Sequence, residues 1–201
     1  QLSVEPDEAS AKAIAAHAKE AAAEGVGPRG LEALAGAQYA SSTIAADRNQ
    51  KSFKYSLEKF MQVRGSNAII SQGKSRKRAN AKFFAALERK YGVPAGPLLA
   101  IHGMETGFGR FMGNANVMSA IATLAYDCRR SAFFTEHLYA ALQLVDRGVL
   151  SSSTRGAMHG EVGHTQFLPG SVLRYGVDGD GNQSSEWPYA FFKSCCEWNE
   201  S

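Results

Sequence analysis

Apolar residues in this chain recur at helical spacing between glycine and proline stops, and no segment alternates apolar and polar residues convincingly enough to make a strand. That periodicity constrains the fold more than any other feature, and it predicts a mainly α class. Phe84, Leu87 and Tyr91 stand at i, i+3 and i+7 ahead of a stop at Gly92 and Pro94. The pattern predicts one long helix over Asn67–Tyr91, with Gly73 as its weak point. Pro97 suits the first turn of another helix, Leu98 to about Thr106, which Gly107 and Gly109 end. Asn116–Ala125 carries Val117, Ile121 and Leu124 on one face. Ser131 can cap a further helix through Arg147, in which Phe134, Leu138, Ala141 and Val145 repeat.

The first third is rich in alanine. Ala11–Glu24 reads as a helix capped by Asp7 or Ser10 and stopped at Gly25, and Pro28 starts a short second helix. Ser41–Lys51 is polar and without period, so a connection is expected there. The chain is read as an N-terminal helical extension and connection (1–52), a main domain (53–182) and an atypical tail (183–201), whose Trp187 and Trp198 follow no helical period.

A chain of 201 residues can bury roughly two-thirds of its unfolded surface, so no staple is needed. Cys128, Cys195 and Cys196 are an odd count without CxxC spacing, which argues against a zinc site or a disulfide scaffold. No apolar run approaches the ~18 residues of a membrane-spanning helix. The net charge of +3 suits an anionic partner such as cell wall or nucleic acid and selects neither. The chain opens at Gln1 with neither an initiator Met nor a basic-then-apolar leader, as expected where a targeting peptide has been removed or the start is artificial.

Glu105 is the most informative single residue. Leu98, Ile101 and Glu105 occupy i, i+3 and i+7, so a carboxylate continues an apolar stripe. Desolvation there is expected to favour the neutral carboxyl, the state a proton donor needs. The alternative is a buried Glu tied to an Arg. The glycines of Gly107-Phe108-Gly109 leave room for a ligand to approach the backbone. A second cluster, Gly160 to Pro169, holds Gln166, whose amide offers donor and acceptor together, as sugar hydroxyls and N-acetyl groups require; an ordinary turn amide is the plainer reading.

Other chemistries find less support. HExxH is absent, and so are a GxSxG elbow and a nucleotide-binding glycine loop after a strand. Asp178, Asp180 and Asn182 alternate as a calcium loop begins, but Gln183 and Tyr189 stand where such a loop needs Gly and Glu, so weak or no calcium binding is expected. No metal and no cofactor is assigned. Lys74, Arg76, Lys77, Arg78 and Lys82 read as a solvated basic face; aromatic residues do not interleave with them, and no nucleic-acid partner is expected.

Taken together, the motifs resemble the MltB-like family of lytic murein transglycosylases. The resemblance runs through Tyr91-Gly92-Val93-Pro94, Ile101-His102-Gly103-Met104-Glu105-Thr106-Gly107-Phe108-Gly109-Arg110 and Ala120–Asp127. It continues through Arg129-Arg130, Phe133-Phe134, Gly163–Pro169 and Tyr175-Gly176-Val177-Asp178, in the family's order and spacing. It implies a lysozyme-like helical fold and peptidoglycan glycan strands as substrate. It also implies Glu105 as the catalytic acid and base, with Gln166, Arg129 and Arg130 as substrate-binding residues. The implied setting is the periplasm or cell envelope of a Gram-negative bacterium, with peripheral outer-membrane association and a monomeric chain. Gly160-Glu161-Val162-Gly163 departs from the family's usual Gly-Ala-Met-Gly and adds a carboxylate, Glu161. The resemblance stops near Asn182, before further helices with which the family closes its cleft, so the chain reads as truncated relative to it. A catalytically impaired wall-binding module is the first rival reading. A hydrolytic lysozyme, with Asp127 or Glu136 as its second carboxylate, is the next.

Overall fold

The computed structural model describes residues 8–49 and 55–176. Asp7, Phe53 and everything from Val177 onward, including the Asp178–Asn182 loop, the Cys195-Cys196 pair and the tail, lie outside the described residues. The helices are α1 (Glu8–Ala23), α2 (Pro28–Ala35), α3 (Ser41–Arg48), α4 (Leu57–Val63), α5 (Ser66–Ala79), α6 (Ala81–Tyr91), α7 (Ala95–Thr106), α8 (Val117–Tyr126), α9 (Ser131–Asp146) and α10 (Pro169–Tyr175). Two-residue strands β1 (Ala115–Asn116) and β2 (Arg155–Gly156) pair antiparallel. The mainly α, lysozyme-like class is found.

The larger core is built on α8 and α9. Val117, Ile121 and Leu124 of α8 meet Phe134, Leu138, Ala141 and Val145 of α9, each at most 4% exposed. The expected cap of α9 shifts by one residue, since Ser131 is already inside the helix and Arg130 stands before it. The N-terminal helices belong to this same core: Ala21, Ala33 and Leu34 are buried in it. Burying a side chain such as Leu34 is worth about 2 kcal/mol. Asp146, at the end of α9, accepts the backbone N–H groups of Gly27 (2.6 Å) and Gly30 (2.8 Å), so a carboxylate from far along the chain caps α2. The segment read as an extension is thus bound to the main domain by both apolar packing and a cap.

Two sequence expectations need correction. Residues 41–48 are not a connection but helix α3. Its buried positions, Thr43 and Asp47, are four apart on one face, and because they are polar the stripe escaped an apolar-period reading. The single long helix expected over Asn67–Tyr91 is two helices broken at Asn80. Asn80 leaves helical geometry (φ −117°, ψ 38°), and its side-chain amide donates to the Arg76 carbonyl at 3.2 Å.

A smaller core joins α6 and α7 through Phe84, Leu87, Ala95, Leu99 and Phe108, and Ile69 of α5 packs against it. The α5–α7 contact needs Gly103. A Cβ there would meet Ile69 Cγ2 at 2.5 Å and Phe108 Cζ at 2.8 Å. The site described next lies where α7 ends and meets the loop after β2.

Candidate active site

α7 carries Glu105 close to its C-terminal end, and Gly107 stops the helix in the left-handed conformation (φ 59°). The buried side of α7 is Ala95, Leu99, His102, Gly103 and Thr106. This corrects the expected stripe: Leu98 is half-buried, Ile101 is 38% exposed, and the Glu105 side chain faces solvent. The physical reason is the close approach of α5 at Gly103, which draws that neighbouring face inward. Glu105 is therefore outside the buried side of α7 among the described residues.

The turn after α7 places a buried aromatic in a conformation that L-residues rarely adopt. Phe108 (φ 63°) is 1% exposed, and the Arg76 guanidinium lies 4.7 Å from its ring centroid. Arg110 donates from Nε to the Gly107 carbonyl (3.1 Å) and from Nη2 to Gln72 Oε1 (3.2 Å), bracing this turn against α5. Phe111, by contrast, is 74% exposed.

Gln166 arrives on a tight reversal. Val162 and Phe167 exchange backbone hydrogen bonds (2.9 and 3.2 Å), and Gln166 sits between them with φ 51°. Its Nε2 donates to the Gly163 carbonyl at 2.8 Å and reaches the Met112 carbonyl at 3.4 Å. Both described bonds use the amide nitrogen, which leaves Oε1 as the acceptor on offer. The reversal is anchored to α7: the Thr106 hydroxyl donates to the His164 carbonyl at 2.7 Å. Glu105 is the sequence neighbour of Thr106, so the helix end that carries it is hydrogen-bonded to the turn that carries Gln166.

Arg129 and Arg130 follow α8 and converge on Asp47 of α3. Both guanidinium groups donate to its carboxylate, and Arg129 also donates to its backbone carbonyl at 3.1 Å. Burial works to raise the Asp47 carboxyl, but hydrogen bonds from Arg129 and Arg130, then their charges, outweigh it and hold it below the usual carboxylate range. The arginine side chains remain 49% and 39% exposed. His159 completes the cluster, with Nε2 3.5 Å from Asp47 and Nδ1 3.6 Å from Glu161. Glu161, the additional carboxylate, also accepts the His159 backbone N–H at 3.2 Å, so it is turned toward His159. The sequence reading missed Asp47 and His159; the signal available for Asp47 was its place four residues after Thr43.

Of the two carboxylates considered for a lysozyme, Asp127 pairs with Arg48 at 3.2 Å and Glu136 is exposed on α9. Among the described residues no three His, Cys, Asp or Glu side chains cluster as a metal site.

Residues 9–187 match the family described as the transglycosylase SLT domain. The membrane-bound lytic murein transglycosylase B of Escherichia coli (strain K12) is 36% identical over 96 residues, which are 46% of this chain and 27% of that protein. SltB3 from Pseudomonas aeruginosa, solved with NAG-NAM-pentapeptide, superposes with a TM-score of 0.82 at 31% identity, covering 95% of this chain and 52% of that one. The same values hold for its complex with NAG-anhNAM-pentapeptide. The soluble lytic transglycosylase SltB1 of that organism matches with a TM-score of 0.75 at 30% identity, over 84% of this chain and 58% of that one. The chain thus spans between about a quarter and six-tenths of the length of these relatives. With motif order, helical architecture and a match over nearly its whole length in agreement, this chain belongs to the transglycosylase SLT domain family.

Proposed function

We propose that this chain is a lytic transglycosylase domain that cleaves the MurNAc–GlcNAc β-1,4 bond of peptidoglycan and leaves a 1,6-anhydroMurNAc end. The observation that carries the proposal is the joining of the solvent-facing Glu105 at the end of α7 to the Gln166 reversal through Thr106 and His164. One exposed carboxylate on a helix end that is tied to the turn of a fixed amide suits a reaction in which a single residue is acid and then base.

Glu105 first donates its proton to the leaving glycosidic oxygen. A glycan strand lying over it excludes water, with Ile101 and Met104 (37% exposed) as apolar neighbours. The substrate's own N-acetyl oxygen stabilises the sugar cation, so no protein nucleophile is called for. Glu105, now ionised, takes the proton of the C6 hydroxyl on the same MurNAc, which closes onto the anomeric carbon. That attack is intramolecular and outpaces bulk water by proximity. Gln166 offers Oε1 to a sugar N–H or hydroxyl. Arg129 and Arg130, each spending part of its donor fork on Asp47, hold remaining N–H groups toward carboxylates of the wall peptide. The setting we propose is the periplasmic envelope.

Clearing of purified peptidoglycan, with mass spectrometry of the products, tests this reading. Anhydro ends that vanish in Glu105→Gln and persist in Asp127→Asn are the expected result. Reducing ends in their place would instead identify a hydrolytic lysozyme. The exposure of Glu105 favours one second reading, a wall-binding module of impaired activity; co-sedimentation with peptidoglycan in the absence of clearing would establish it.

A further inference from the structure

Between α7 and the turn that carries Gln166, two histidines share a hydrogen bond that the proposed reaction does not use. His102 Nε2 and His164 Nδ1 are 2.9 Å apart, and the residues are 2% and 4% exposed. Their rings meet edge to face with centroids 5.0 Å apart, and His102 meets the Phe108 ring likewise at 5.2 Å. Main chain reinforces side chain here. The Thr106 hydroxyl that donates to the His164 carbonyl also accepts the Gly109 N–H at 3.0 Å. Gly109 has φ 89° and lies so close under the His164 ring that a Cβ could not be placed there.

The bond needs one ring nitrogen to donate and the other to accept, which two neutral imidazoles supply. The surroundings enforce that state. Burial above all, then His164 and Arg76, push His102 down to about 4, and burial and Arg76 push His164 down as well. Two residues beyond His164, Gln166 holds its left-handed φ of 51°. A non-glycine residue stays in that region only where its surroundings over-determine it. The Val162–Phe167 bridge closes this turn, and the histidine pair, together with the Thr106 hydroxyl on the His164 carbonyl, ties it to the helix of Glu105.

We propose that His102 and His164 are a positioning pair whose mutual hydrogen bond holds the Gly163–Phe167 turn on the end of α7 and so sets Gln166 relative to Glu105. The inference rests on the reading that Glu105 and Gln166 serve peptidoglycan cleavage. Both histidines are buried and act through Gln166 rather than on substrate.

Nitrogen-15 NMR of the whole chain tests the positioning itself, whatever the activity. The Gln166 side-chain amide signals, assigned by their loss in Gln166→Ala, are expected to move in His102→Leu and to return in His102→Gln, which keeps an N–H donor of similar reach. Should His102→Leu not fold, His102→Asn, whose shorter amide falls short of His164, carries the same comparison. On peptidoglycan, His102→Leu is expected to lower kcat/KM about tenfold, chiefly by raising KM, as the loss of a sugar contact from Gln166 requires. The double variant with Gln166→Ala should then be no slower than Gln166→Ala alone, because both changes remove one arrangement. Unmoved Gln166 signals, or single losses that multiply in the double variant, would overturn the positioning role. A wild-type chain that neither binds nor cleaves peptidoglycan would overturn the functional reading, while the NMR comparison still decides the pair.

Discussion

Arg129 holds Asp47 twice, at its carboxylate and at its backbone carbonyl 3.1 Å away, across 82 residues of sequence. The contact ties α3 to the loop between α8 and α9, and Arg130 reinforces it from the next position. One buried acid thereby orients two half-exposed cations.

Asp47→Ala is expected to lower stability by about 2 kcal/mol, less than for a fully buried pair because both arginines can rehydrate. The sign with pH follows from the lowered Asp47 carboxyl. Its contribution is present above the unfolded value of 3.8 and is lost as pH falls through the folded value below it. Urea titrations at pH 7 and pH 3 check this: the gap between wild type and Asp47→Ala should shrink at the lower pH.

A different acid window belongs to the histidine pair. Protons bind the unfolded chain more readily between the ordinary histidine value of 6.5 and the folded value of about 4 for His102. Stability should therefore decline as pH falls from 6.5 toward 4. Thermal unfolding across that range is expected to show a shallower decline for His102→Gln than for the wild type.

Gly103→Ala would drive a methyl group into Ile69 and Phe108, wedging α5 from α7. The expected cost is about 1–3 kcal/mol, as for other overpacked contacts. Thermal melts would register it, and Gly96→Ala on the open face of the same helix, where a Cβ meets nothing within 4 Å, should show no such loss.

Removing the cap that α9 supplies to α2 gives a fourth test. Asp146→Ala strips the partners from the Gly27 and Gly30 N–H groups and is expected to cost about 1–2 kcal/mol. That corresponds to a fall of roughly 2–8 °C in the unfolding midpoint for a domain of this size. Asp146→Asn, which keeps an acceptor oxygen, should fall by less.

Much of the helix layout was legible because α1, α2, α8 and α9 present apolar stripes punctuated by Gly and Pro. What escaped did so where a buried face is polar. Thr43 and Asp47 do not look like a core stripe, so α3 was read as a connection. On α7 the residues that turn inward include His102, Gly103 and Thr106, and the more apolar Leu98 and Ile101 outcompeted them on paper. Glu105 and Gln166 could be singled out by residue type and motif. The convergence of Arg129, Arg130 and His159 on Asp47 could not, since no local pattern links positions 82 residues apart or more.

The cap between Gly30 and Asp146 also sets a schedule. The two residues are 116 positions apart, and α2, with 8 residues, is too short to be stable alone in water. At synthesis rates of 5–20 residues per second, roughly 6–23 s separate the appearance of Gly30 from that of its acceptor. Throughout that interval Ala33 and Leu34 have no α9 to pack against. The α1 and α2 helices are therefore made well before α9 and gain their cap and their apolar shelter only once it has been synthesised.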